Sequence, residues 1–201
     1  MHHRLVLTTL LLLAVPVLCT AQYRIRSGMG VLAGPQAATW HSEAVNYRPV
    51  PGATAGLYVP LKAGGRVELQ PELHLALGGA SHEIVDGNRY VLRTLHAVLP
   101  VALKYFPVRG LSLQAGGQAG YLLLARSDGQ DANLLLNTLE LGVHAGVGAG
   151  SQEGFDVTLR YYHGLSNTLL EDRTQYPSAR SLQLTIGKRL VQFKYRRLRR
   201  R

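Results

Sequence analysis

Residues 66–80 read RVELQPELHLALGGA, and their side chains alternate between apolar and polar types. Successive side chains of a strand leave opposite faces of the backbone, so the alternation predicts a strand with one apolar and one polar face. A soluble strand commonly has about 5–6 residues, whereas one that crosses a bilayer needs about 9–11. The length therefore predicts a transmembrane strand, with lipid on one side and a polar barrel lumen on the other. The apolar parity comprises Val67, Leu69, Leu73, Leu75 and Leu77, and the polar parity comprises Glu68, Gln70, Glu72 and His74.

Similar alternation recurs along the rest of the chain, which gives eight segments in all. The predicted strands are residues 23–33, 53–61, 66–80, 90–105, 111–124, 138–149, 155–166 and 180–190. Their connections alternate between long and short, beginning with a long polar loop at 34–52 and a tight turn at 62–65. Even-stranded antiparallel membrane barrels have short periplasmic turns, longer outer loops and periplasmic termini. The sequence therefore predicts an all-β protein of the cell outer membrane, an eight-stranded antiparallel up-and-down transmembrane β-barrel.

Aromatic residues and prolines bear on this arrangement in opposite ways. The predicted periplasmic rim contains the aromatic residues Tyr23, Tyr105, Phe106 and Phe155, where an aromatic girdle is expected. Pro71 and Pro100 fall inside predicted strands. Because proline cannot donate a hydrogen bond to the sheet ladder, these two residues predict local bulges or unpaired positions.

The two ends of the chain differ in composition from its body. Residues 1–21 combine early positive charge, a largely apolar run and small residues before Gln22, which predicts a cleaved signal peptide. A lipoprotein signal at Cys19 is the alternative, and Leu18 fits it poorly. Cys19 is the single cysteine of the sequence, so disulfides are not predicted after cleavage. The predicted domains are a signal peptide at 1–21, an outer-membrane β-barrel at 22–193 and a basic C-terminal tail at 194–201.

The net charge of +10 is concentrated at one end of the chain. Residues 194–201, KYRRLRRR, hold six basic residues, and Arg4 holds another in the predicted signal. Without these seven, 15 basic residues stand against 12 acidic ones, so the predicted barrel is near charge balance. Basic residues beside a membrane are attracted to anionic lipid. We predict outer-membrane lipid as a partner. For the basic tail, a protein or anionic partner is one alternative and a solvated extension without a partner is the other. Nucleic acid is not predicted as a partner, and a monomer is expected.

The polar parity of the strands also predicts which side chains fill the lumen. An eight-stranded barrel is just wide enough for side chains to fill it, and opposite charges packed inside would satisfy one another. We therefore predict a plugged lumen and a structural, docking or surface-interaction role rather than catalysis, with a narrow pore as the alternative. The predicted lumen residues are Arg24, Arg26, Glu68, Gln70, Glu72, His74, His96, Lys104, Gln114, Gln118, Glu140, His144, Asp156, Arg160, Gln183 and Arg189.

No catalytic, cofactor-binding or metal site is predicted, although two patterns could suggest one. His74 and His96 lie at similar depths on neighbouring predicted strands, close to Glu72. Such a set could hold zinc, whereas a hydrogen-bonded pair inside the lumen is the simpler interpretation. Residues 28–33, GMGVLA, match a dinucleotide fingerprint but lack the following helix and second strand that such a site requires.

Two further alternatives belong to other classes of protein. Ser166, His163 and Asp172 fall near the last predicted loop and contain the residue types of a hydrolase, although a polar loop explains them. A soluble lipocalin-like calyx would point the leucine face inward and bind a small apolar ligand. Strand length and the short turns argue against the calyx.

Four segments of the sequence resemble the PorT-like bacterial outer-membrane β-barrel domain family. They are LQPEL at 69–73, LPVALKY at 99–105, LSLQAGGQAGY at 111–121 and LQLTIGKR at 182–189. The resemblance covers most of the chain after the predicted signal, and it implies an outer-membrane barrel but little about biochemical role. Two features depart from the family pattern. Val98 stands where the family often has an inward acidic residue, and the chain continues beyond Leu190, near which the family tends to end.

Overall fold

The structure is a computed structural model that describes residues 27–43, 45–63, 65–83, 89–127, 130–150, 154–169 and 177–193. Among these residues, eight strands are long, with between 10 and 20 residues each, and two have only two residues. The strands are β1 (Gly28–His41), β2 (Arg48–Tyr58), β3 (Leu61–Lys62), β4 (Val67–Glu83), β5 (Arg89–Val108), β6 (Leu111–Ser127), β7 (Gln130–Asp131), β8 (Leu139–Gly150), β9 (Phe155–Gly164) and β10 (Ser178–Gln192). A 3-10 helix (Asn133–Leu135) lies between β7 and β8. Within these residues, no helix combines the length and the hydropathy needed to cross a membrane.

The eight long strands form a closed antiparallel ring. Their order is β1, β2, β4, β5, β6, β8, β9 and β10, and β10 pairs with β1 to close the ring. The short strand β3 extends the β4 ladder beyond β2, and β7 pairs with the end of β6. Closure leaves no free edge along the ring, which is the condition for a sheet to cross a membrane. The predicted fold class, an eight-stranded antiparallel transmembrane barrel, is confirmed.

The two faces of the barrel have opposite chemistry. On β4, Leu73 and Leu75 are 51% and 53% exposed, whereas the alternating Glu72 is 4% exposed. On β5, Leu103 is 53% exposed beside a Lys104 that is 2% exposed. A soluble protein buries its leucines and exposes its charges, so this inversion fits a barrel with lipid outside and polar side chains inside.

The prolines and rim aromatics only partly follow the predictions. The β4–β5 pairing has a gap between Pro71 and His74, but the register is the same on both sides of it. Pro100 pairs with Gln118 without a shift. The predicted bulges at these prolines are therefore wrong. Pro71 itself pairs with Val101, and the unpaired positions are residues 72 and 73, which lie opposite Pro100 and Leu99. At the rim, Tyr105 is 45% exposed, whereas the Phe106 side chain is buried and does not join an outer girdle.

The prediction of a long loop over residues 34–52 is largely wrong. Strand β1 continues to His41 and β2 already begins at Arg48. Residues 34–38 contain mainly alanine, glycine and proline, whose hydropathy does not alternate clearly, so the sequence pattern is lost there. The ladder persists because β1 pairs with β10 on one side and with β2 on the other. Residues 23–26 of the first predicted strand lie outside the described residues.

Candidate functional site

The structure places the predicted lumen residues in two groups. Half-buried positions are held by His96, Gln118, Glu140, Asp156 and Arg189. Those at most 4% exposed are Glu68, Gln70, Glu72, His74, Lys104, Gln114, His144, Arg160 and Gln183. Arg24 and Arg26 lie outside the described residues.

A bidentate ion pair crosses the lumen at mid-height. Arg160 Nη1 donates to Glu72 Oε2 at 2.8 Å, and Arg160 Nη2 donates to Glu72 Oε1 at 2.7 Å. Their strands, β9 and β4, stand four places apart in the ring of eight and so face one another across the barrel. Paired, parallel hydrogen bonds of this kind are among the strongest polar contacts in proteins. The pair therefore joins opposite walls of the barrel.

Other buried side chains surround this pair. Gln70 Nε2 donates to Glu72 Oε1, and His74 Nε2 lies 2.7 Å from Glu72 Oε2. Gln114 Oε1 lies 3.5 Å from Arg160 Nη2. The carboxylate of Glu72 thus has neighbours from its own strand and from the far wall, which offsets the cost of burying its charge.

A second layer lies closer to the short turns. Lys104 Nζ is 3.5 Å from Asp156 Oδ1, and the Thr158 hydroxyl donates to the same oxygen at 2.6 Å. The buried Tyr58 ring lies beside Gly30, where a Cβ atom would come within 2.5 Å of it. Glycine at this position therefore provides the space that the aromatic ring occupies.

Glycines on β8 have the same role nearer the middle of the lumen. A Cβ atom at Gly142 would lie 2.5 Å from the ring of Tyr162, and one at Gly146 would lie 2.9 Å from Gln114 Nε2. Interior side chains of small barrels commonly alternate between small and large. These glycines create the room that the polar side chains fill.

Above the Glu72–Arg160 pair, the lumen widens into a small polar cavity of about 60 Å³. His96 Nε2 lies 4.0 Å from Glu140 Oε2 at its wall. Each enclosed water needs about 15 Å³, so the space suits a few waters rather than an organic ligand. Its polar lining includes Gln36, Thr94, His96, Gln118, Glu140 and Ser181.

An apolar cluster lies at the long-loop end, and we call it the outer cap. Its members are Trp40, Ala80, Leu92, Leu122, Ala125, Ala132 and Leu136. The chain that follows β7 reaches this cluster, and the Ala132 amide holds it there by donating to the Ala125 carbonyl at 3.0 Å. Leu136 also forms an isolated bridge with Leu169. Trp40 falls within the predicted loop 34–52, but it lies in strand β1 and is only 8% exposed, because it packs in the outer cap.

The alternative sites of the sequence are arranged differently in the structure. His74 lies beside Glu72, whereas His96 is closest to Glu140, so the expected histidine pair is replaced by two histidine–carboxylate neighbours. Among the described residues, no cluster of three metal-ligating side chains occurs. Residues 28–33 lie within β1, with no phosphate-binding turn.

The candidate hydrolase residues are also accounted for by local structure. The Ser166 hydroxyl accepts a hydrogen bond from the Leu141 amide at 2.9 Å, which ties the chain after β9 to β8. His163 is paired with Arg180 across the β9–β10 ladder. Asp172 lies outside the described residues.

Sequence reasoning missed several buried polar groups. Gln36 accepts a hydrogen bond from Gln183 Nε2 at 3.1 Å, and Gln36 also donates to the Leu77 carbonyl at 2.8 Å. It was missed because residue 36 fell within the predicted loop. Tyr58 and Tyr162 were missed because tyrosine counts as apolar in a parity pattern. Extending the β1 parity beyond residue 33 would have identified Gln36.

The fold is similar to those of two proteins of known structure. Neisserial surface protein A has a TM-score of 0.57 and 13% identity, with 82% of this chain and 98% of that one covered. Ail, the attachment invasion locus protein of Yersinia pestis, has a TM-score of 0.50 and 10% identity, with 82% and 99% covered. At these identities the likeness shows the fold alone. None of the curated proteins matches the sequence at a significant level.

The sequence also matches a protein family over most of its length. The match spans residues 20–170 and therefore includes the strands that supply Glu72, Lys104, Gln114 and Arg160. This agrees with the closed ring, the apolar outer face and the two solved structures. The chain belongs to the family described as the outer membrane protein beta-barrel domain.

Proposed function

We propose that this outer-membrane barrel is plugged by its own side chains and has a structural, docking or surface-interaction role rather than a catalytic one. The observation that carries the proposal is the Glu72–Arg160 pair, which joins opposite walls of the lumen through two hydrogen bonds of 2.7 and 2.8 Å. The pair lies where an open channel would need water and ions to pass. Within the family, the PorT-like group is the one that we propose for the chain.

The outer cap supports the same proposal from the other end of the lumen. Leu136 and Ala132 reach the cluster from the chain that follows β7, and they are 2% and 3% exposed. Apolar side chains packed at an outer mouth present a barrier to hydrated ions, since ions enter apolar surroundings at high cost. A solute entering from outside would therefore meet two barriers in succession, first the apolar outer cap and then the Glu72–Arg160 pair.

Cysteine accessibility tests whether the lumen is closed. Chains that start at residue 22 would carry one introduced cysteine, and a charged, water-soluble thiol reagent would be added to the folded barrel in detergent. Thr158→Cys probes the inner lumen and Thr94→Cys probes the cavity beneath the outer cap, since both side chains are buried. Leu134→Cys, at a side chain that is 93% exposed, is the reactive control.

A plugged barrel predicts rapid labelling at position 134 and labelling at positions 94 and 158 that is slower by orders of magnitude. Full labelling of all three after unfolding shows that the thiols themselves are competent. Equal rates at all three positions in the folded barrel would contradict the plug and favour the narrow pore.

A further inference from the structure

Two arginines face each other on the outside of the barrel. Arg93 of β5 and Arg126 of β6 are direct partners in the ladder, and both are exposed. Their outward direction follows from their neighbours, since Thr94 and Ala125 beside them are 5% and 0% exposed. Like charges directly opposite each other on two strands are destabilising when nothing lies between them.

The two arginines lie at the upper edge of the apolar band. The row beneath them is formed by Leu77, Leu95 and Leu124, which are partners across β4, β5 and β6. Leu95 lies ten residues from Tyr105, which is at the inner rim. With a rise of about 3.4 Å per residue and a strand tilt of about 40°, this separation corresponds to about 26 Å along the barrel axis. This matches the apolar band of outer-membrane barrels, about 25 Å tall. Arg93, two residues further along, therefore lies at the level of the outer headgroups.

Neither arginine has an ion-pair partner among the described residues. Two carboxylates of the same end have other contacts. Glu83 pairs with Arg48 at 2.8 Å, and Asp131, opposite Arg126 in β7, accepts the Asn133 amide at 2.9 Å. On the other side of Arg93, its β4 partner is Gly79, which has no side chain. Two cations that lack an ion-pair partner in the described part of the chain thus lie side by side.

We propose that Arg93 and Arg126 form a clamp for the phosphate group of an outer-leaflet lipid headgroup. A guanidinium presents donors in a planar fork that fits phosphate oxygens, and two such forks on neighbouring strands can hold one phosphate from both sides. The acyl chains of that lipid would lie along the leucine row directly below. The anion would also relieve the repulsion between the two arginines.

Native mass spectrometry of the folded barrel in a non-ionic detergent tests the clamp, with dioleoyl phosphatidic acid as the probe. The test variant is Arg93→Gln/Arg126→Gln. The matched control is Arg66→Gln/Arg109→Gln, which removes the same charge from two exposed residues at the short-turn end. Retention of the lipid should fall about thirtyfold in the test variant, as expected when two headgroup-level cations are lost. The control should retain the lipid like the wild type.

Three outcomes would overturn the clamp. Undiminished retention in the test variant would show that the two arginines do not bind the headgroup. An equal loss in the control variant would show a general charge effect. Displacement of the lipid by inorganic phosphate at equal concentration would assign the site to free phosphate rather than to a lipid. Because both arginines are exposed, folding should survive, and the single variants Arg93→Gln and Arg126→Gln give the same test if the double variant does not fold.

Discussion

Arg160 donates two hydrogen bonds to Glu72 across the barrel, because β9 and β4 stand four places apart in a ring of eight strands. The contact connects strands that the sheet ladder itself does not join. It therefore adds a link across the lumen to a fold otherwise held by neighbour-to-neighbour pairing. Removing either partner would leave a buried charge without its counterpart.

The first prediction concerns this pair. Glu72→Met should lower the free energy of unfolding by about 3–5 kcal/mol, because Arg160 would remain buried and charged. Arg160→Met should cost less, since Gln70 and His74 still contact the carboxylate. The double variant should cost less than Glu72→Met alone, because no unpaired arginine remains. Urea titrations followed by Trp40, the single tryptophan, provide the measurement. If the loss of unfolding free energy in the double variant equalled the sum of the losses in the two single variants, the two residues would not be coupled.

The parity pattern predicted the strands well where lipid and lumen impose opposite chemistry on the two faces. Strands β4 to β6 begin within one residue of the predicted starts and end three residues beyond the predicted ends. Parity failed between residues 34 and 52, where small residues and prolines suit both faces. It could not pair Glu72 with Arg160 either, because contacts across a lumen depend on strand tilt and stagger. The same limit applies to His74 and His96. Their places on neighbouring strands predicted a contact between the two rings, but in the structure each lies beside a different carboxylate.

The second prediction tests the lipid-facing surface. Leu75→Arg should cost about 2–4 kcal/mol, as a charge does near the bilayer midplane. Val108→Arg, at a residue that is 59% exposed beside a short turn, should cost about 0–1 kcal/mol. Unfolding titrations in lipid vesicles compare the two variants directly. Equal costs at the two depths would be incompatible with the assigned membrane position.

The third prediction uses two glycines that differ in their surroundings. A Cβ atom at Gly146 would lie 2.4 Å from the Leu159 carbonyl oxygen, whereas one at Gly117 meets nothing within 4 Å. Gly146→Ala should therefore destabilise the barrel by about 1–3 kcal/mol through overpacking. Gly117→Ala should be neutral or slightly stabilising. The same titration measures both, and a tolerated Gly146→Ala would show that the lumen is less tightly filled than described.

The fourth prediction concerns the outer cap. Leu136→Ala removes a side chain that is 2% exposed and should cost about 2–5 kcal/mol, with a red shift of Trp40 emission as water reaches the cluster. Leu134→Ala, two residues earlier and 93% exposed, should change stability by less than about 0.5 kcal/mol. Unchanged emission in a folded Leu136→Ala barrel would argue against contact between the loop and the cap.

The fifth prediction concerns the basic tail. Removing residues 194–201 should leave the barrel folded, because β10 ends at Gln192 and the Phe193 amide donates to Ser27 at 2.9 Å. Heat-modifiable migration on a gel reports whether the barrel has formed. Its loss in the truncated chain would mean that ring closure depends on the tail.

Single-channel recording in a planar bilayer tests the central claim most directly. In the proposed plugged barrel, the Glu72–Arg160 link and the outer cap would close the lumen in series. Wild-type barrel that is folded by the heat-modifiability criterion should therefore give no discrete conductance steps. Reproducible open-channel steps from that same folded protein would contradict the plugged barrel and establish a pore.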